Sequence, residues 1–148
     1  MEKSEIAALI ENAEKLHGHL GPFLVIGVKM SLFAMKNLKV KNGDNLVVKA
    51  KLRAKTPYTC ILDGIQATTS CTFGNRKLSL EETDSSEIIV KFVLKNNGKQ
   101  ATIQLRQEIV EHLNREMRPL KISDLELRKL AWEIAETPEE KLFTFETQ

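Results

Sequence analysis

Apolar residues recur at helical spacing from the start of the chain: Ile6, Leu9, Ile10, Ala13 and Leu16 share one face of a 3.6-residue period. With Ser4 as N-cap and Gly18 as the stop, the pattern predicts a helix from about Glu5 to Leu16. Pro22 suits the first turn of a second helix, Leu24 to about Met35. That helix is apolar on most sides, with Lys29 and Ser31 as interruptions, and its Gly27 predicts close packing against another element.

The period then changes. After a turn at Asn42-Gly43-Asp44, Leu46, Val48, Ala50, Leu52 and Ala54 alternate with Val47, Lys49, Lys51, Arg53 and Lys55. This predicts a strand with one buried and one mostly cationic face, ended or bent by Pro57. A helical stretch from Leu62 to about Thr69 has Cys60 before it and Cys71 after it, and Gly74-Asn75 reads as a turn. Ile88–Leu94 and Gln100–Leu105 read as strands joined by the hairpin signal Asn96-Asn97-Gly98-Lys99. Ile109, Val110, Leu113 and Met117 mark a helix ending before Pro119. Ser123-Asp124-Leu125-Glu126 is a capping box, with Ile122 and Leu127 as a hydrophobic staple, opening a helix to about Glu136. Thr137-Pro138-Glu139-Glu140 starts one further short turn. The order of elements indicates an α+β, mixed-sheet layout in a single domain over 1–148.

Composition narrows the class. The chain has 148 residues, 42% of them hydrophobic, enough to bury a sizeable core. The longest apolar-rich stretch, Phe23–Met35, is too short to span a bilayer, and the acidic start Met1-Glu2-Lys3-Ser4-Glu5 lacks the features of a secretory signal. A cytoplasmic protein is the expectation, with its two cysteines as free thiols. Net charge is only +2, and the cationic strand lacks interleaved aromatics, so nucleic acid is not an expected partner. The charge is uneven, however. Lys36–Lys55 holds seven basic residues against Asp44 alone, whereas residues from Gln107 onward hold six basic and ten acidic. The Lys49, Lys51, Arg53, Lys55 ladder reads as a solvated face or as a dock for an anionic cofactor or acidic partner.

Candidate chemistry centres on His17-Gly18-His19, two of only three histidines. Neutral imidazole is the commonest metal ligand, and the intervening glycine lets both rings turn toward one point. The structural alternative places a His17 cation at a helix C-terminus and leaves His19 capping a carbonyl. Cys60 falls at a predicted helix N-terminus, where the dipole favours a thiolate, although free cysteine is also a common core residue. Asp63 either caps that helix or receives a proton. Cys71 would stand on the order of 15 Å from Cys60 across an unbroken helix, at 1.5 Å per residue, which favours Cys60 over Cys71 as a ligand. Without a Cys-x-x-Cys pair, thiol redox work by Cys60 is disfavoured.

Two blocks carry a family resemblance. His17-Gly18-His19-Leu20-Gly21-Pro22 and Cys60-Ile61-Leu62-Asp63-Gly64-Ile65-Gln66, continuing through Thr69-Ser70-Cys71-Thr72-Phe73-Gly74, resemble the FmdE-like family, named for formylmethanofuran dehydrogenase. The resemblance implies a thioredoxin-like core, a mixed sheet of about five strands flanked by helices, and homodimers. It also implies a metal-binding cleft where the blocks meet, carrying over His17, His19, Cys60, Asp63, Gln66 and Cys71. Many relatives add a C-terminal zinc finger, which this sequence does not show. The chain departs from many members in having Gly21 where they have cysteine, and Phe23 where they have glycine. Zinc is the expected ion at His17, His19 and Cys60, with Cys71 as the fourth candidate and Asp63 as the catalytic one. The expected context is formylmethanofuran dehydrogenase or one-carbon metabolism. The competing expectation is a non-catalytic accessory or interaction module of a molybdopterin-type oxidoreductase.

Overall fold

In the computed structural model, residues 3–41, 44–118 and 122–148 are described. The expected turn at Asn42-Gly43 and the stop at Pro119 lie outside them. Helix α1 spans Lys3–His17 and α2 spans Pro22–Leu38, the second longer than its apolar pattern predicts. Strand β1 (Leu46–Leu52) leads into α3 (Cys60–Thr69), then β2 (Leu78–Glu82), β3 (Ile89–Leu94) and β4 (Gln100–Leu105). Helices α4 (Gln107–Glu116), α5 (Asp124–Glu136) and the short α6 (Glu139–Leu142) precede β5 (Phe143–Thr147).

The five strands form one sheet in the order β2-β1-β3-β4-β5. Only β1 and β2 run parallel, joined by the crossover that contains α3; the other pairs are antiparallel. The α+β class and the mixed five-stranded sheet agree with expectation. Two strands have no sequence signal strong enough to name them: β2 and β5, the two edges. The cationic ladder is also shorter than it reads. Strand β1 ends at Leu52, and the Arg53 side chain turns aside to donate to the carbonyls of Asp84 and Ser85, both at 3.1 Å. On the polar face Lys49 stands opposite Lys91, and Lys51 pairs with Glu81 at 3.8 Å.

Burial alternates along β1, β3 and β4, so Val48, Ala50, Val90, Phe92, Ala101 and Ile103 share one apolar face. Against it lies α2, whose residues from Pro22 to Leu32 are all buried. A helix buried on every side must answer for its polar groups. Ser31 does so locally, donating to the Gly27 carbonyl at 2.8 Å. Lys29 does so at long range. Its ammonium donates to the carbonyls of Ile134 (3.1 Å), Ala135 (3.0 Å) and Thr137, with Glu139 at 3.9 Å. These carbonyls lie at the C-terminus of α5, where that of Ile134 also accepts from the Thr137 N–H at 3.1 Å, so a lysine of the central helix helps cap a neighbouring one. Burial lowers the Lys29 pKa, and Glu139 and Glu140 oppose that shift. Lys29→Met is expected to cost about 3 kcal/mol, because it takes a shared donor from the Ile134, Ala135 and Thr137 carbonyls, and only that of Ile134 keeps the Thr137 N–H. Urea denaturation measures it, and a loss within the scatter of a surface substitution would show that water replaces the amine.

The tightest helix crossing is between α2 and α3. A Cβ on Gly27 would overlap the Ile61 carbonyl and come within 3.1 Å of Gly64 Cα; one on Gly64 would run into the Leu24 carbonyl. Two glycines therefore let the backbones touch, as Gly27 alone suggests in the sequence. This crossing sets where the first turn of α3 stands.

Candidate functional site

Helix α1 ends at His17 because Gly18 adopts φ 98, while its N–H still bonds to Glu14 at 2.8 Å. A left-handed residue at this position favours glycine and reverses the chain. His17 is thus held in the last helical turn, and His19 stands exposed beyond it. Their ring centroids are 4.5 Å apart. Gly21, extended, and Pro22 in the first turn of α2 complete the block.

The second block meets the first through Asp63. His17 Nδ1 donates to Asp63 Oδ2 at 2.5 Å. With a carboxylate as acceptor, Nδ1 carries the proton and Nε2 of the neutral ring presents a lone pair. Nε2 is buried and, among the described residues, has no hydrogen-bond partner. Asp63 is steadied in turn: Gln66 Nε2 donates to Oδ1 at 3.2 Å, and the Phe73 N–H donates to Gln66 Oε1 at 3.4 Å. Asp63 is therefore engaged as the partner of His17.

His17, His19 and Cys60 line one cavity of about 60 Å³, walled further by Phe23, Pro57, Met117 and Leu127. Tyr58 backs this wall, edge-on to Phe23 at 5.4 Å and donating to Asn114 Oδ1 at 3.2 Å. Neither Met117 nor Leu127 stands out as a site residue in the sequence. Each reads there as helix packing, and only the tertiary fold brings them to the cavity of the histidines.

The expected low pKa of Cys60 is overturned. Burial pushes its thiol up to about 11, and the Asp63 carboxylate adds to the shift. The helix N-terminus acts in the expected direction but is outweighed. The N–H groups of Cys60, Ile61 and Leu62 also donate to the carbonyls of Pro57, Tyr58 and Thr59 at 3.0–3.2 Å. Cys71 is not brought to the cavity. Helix α3 is unbroken, and Cys71 is buried at its far end with its thiol donating to the Leu46 carbonyl at 3.2 Å. Burial raises that thiol's pKa as well.

Among the described residues, no three His, Cys, Asp or Glu side chains are already gathered as a metal site. The residues nonetheless fit an ion. The unpartnered Nε2 of His17 is the kind of atom that a metal satisfies, and an acid–imidazole pair is the usual support of such a ligand. His19 is exposed and follows a glycine, so its ring has room to turn, and Cys60 adds sulfur on the same cavity wall.

Comparisons with known proteins place these blocks in context. A protein of Archaeoglobus fulgidus named "Probable S-adenosyl-L-methionine-binding protein" is 36% identical over 77 residues, 51% of this chain and 21% of its own. The similarity thus takes in about a fifth of that relative's length. A family model described as "FmdE, Molybdenum formylmethanofuran dehydrogenase operon" matches residues 16–144, from the last turn of α1 to the start of β5. Both blocks and the sheet between and beyond them lie inside that span, and the chain belongs to the FmdE family.

Proposed function

We propose that this chain binds one metal ion, zinc, at His17, His19 and Cys60, and serves formylmethanofuran dehydrogenase or related one-carbon chemistry. The observation that supports it is the buried Nε2 of His17, unpartnered among the described residues while Nδ1 is held by Asp63. Mixed imidazole and thiolate donors suit zinc, and three protein ligands leave a position open. When bound, the ion supplies Lewis acidity toward a water or a carbonyl. Asp63 fixes the tautomer and direction of the His17 ring, and Gln66 keeps Asp63 from turning away. With Oδ2 engaged, Asp63 acts as a positioning residue. Phe23 and Pro57 keep the cavity wall apolar, which strengthens any electrostatic interaction formed there.

The family's description supports association with the dehydrogenase, and we read the working form as a homodimer docking on a larger oxidoreductase. The segregation of basic and acidic stretches gives such a docking its charge contrast. Metal analysis of anaerobically purified protein tests the central point: after zinc addition it should hold about one ion per chain. Protein that contains no metal as isolated and takes up none afterwards overturns the reading.

A further inference from the structure

The cavity shared by His17, His19 and Cys60 is small. Its volume is about 60 Å³, several times the roughly 10–15 Å³ that holds one water on the same measure, so it has room for an ion and a few small heavy atoms. Its polar wall comes from the end of α1 and the start of α3. Its apolar lining includes Met117, just beyond α4, and Leu127, in the first turn of α5. Both are half-buried, so neither is locked into the core. Leu127 stands over Gly21: a Cβ at that glycine would lie 3.9 Å from Leu127 Cδ2, an ordinary contact. Gly21 has φ −145° and ψ 171°, a conformation open to any residue. Its missing side chain is thus no demand of the backbone; it leaves room beneath Leu127.

We infer that Leu127 and Met117, with Gly21 beneath them, form a size filter that limits the ligand reaching Cys60 and His17 to a few heavy atoms. With an ion in place, that class is water, hydroxide or a small anion. The ion's part rests on the zinc reading above; the filter does not.

Cys60 reports on the filter without metal. On metal-free protein, its modification by methyl methanethiosulfonate is compared with that by the bulky aromatic disulfide DTNB. Peptide mass spectrometry separates Cys60 from Cys71. Both rates are taken at one pH on one protein, so the thiolate fraction cancels from their ratio. Relative to a free thiol, the wild type should favour the small reagent by about tenfold or more. Leu127→Ala and Met117→Ala should each erase most of that preference. Gly21→Ala should deepen it, and its undemanding backbone keeps the test alive if Leu127→Ala loosens α5. An unchanged ratio in both alanine variants overturns the filter, as does a Cys60 that neither reagent reaches in any variant. A second arm replaces zinc with cobalt(II) and follows the visible spectrum with azide and with benzhydroxamate. Cobalt that does not bind removes the zinc reading and leaves the thiol ratios to judge the filter. Cobalt that takes both anions equally in the wild type overturns the filter itself.

Discussion

His17→Ala and Cys60→Ala should each weaken zinc binding by about a thousandfold or more, while the double variant loses little beyond either one. Ligands of one ion act as a unit, so removing the second after the site has failed changes little. His19→Ala should behave alike. Asp63→Asn should cost less, about 10- to 100-fold, because the His17 ring keeps its donor atom and loses only its orientation. Cys71→Ala should stay close to wild type, since its thiol is bonded to Leu46 at the far end of α3. Competition with a chelating dye measures all of these variants. Full binding by His17→Ala would return that residue to a structural role, and a loss confined to Cys71→Ala would move the site.

Gly27→Ala is expected to destabilise the protein by roughly 3 kcal/mol, at the upper end for overpacking by one methyl. The added carbon meets the Ile61 carbonyl and Gly64 Cα, which are backbone and cannot rotate aside. Helices α2 and α3 must separate, and α3 carries Cys60 and Asp63 with it. Gly64→Ala should cost a similar amount, and the pair together less than their sum, because both relieve themselves by the same separation. Denaturant titration gives the stabilities. A change near zero in either variant would mean that the crossing is looser than its two glycines indicate.

Much of this arrangement is legible in the residues because it is local. The stop at Gly18, the Ser123 cap that accepts from the Glu126 N–H at 3.2 Å, and the hairpin at Asn97-Gly98 are all short-range devices. His17, His19 and Cys60 stand out by rarity and spacing, and the fold brings them to one cavity. What stays hidden is long-range. Strand β2, with Leu78 and Leu80 as its apolar residues, exists because β1 offers it a parallel edge. Strand β5 likewise needs β4, and Phe145 reaches back to Phe33 with ring centroids 4.7 Å apart. The raised pKa of Cys60 is hidden for a similar reason. A helix N-terminus promises a thiolate only while the sulfur stays solvated, and here burial and the Asp63 carboxylate, both set by the tertiary fold, outweigh it.

The Lys29 clamp binds partners more than a hundred positions later in the chain. Synthesis runs from the N-terminus, so a nascent chain that has emerged only through β4 has α2 and its ammonium but none of the carbonyls that receive it. Until α5 leaves the ribosome, the most apolar helix of the fold carries an unsatisfied charge and cannot be fully sealed. Strands β1 to β4 and α3 can assemble early from nearby segments, but closure of the core waits for the last quarter of the sequence, which leaves apolar surface open to self-association during that interval.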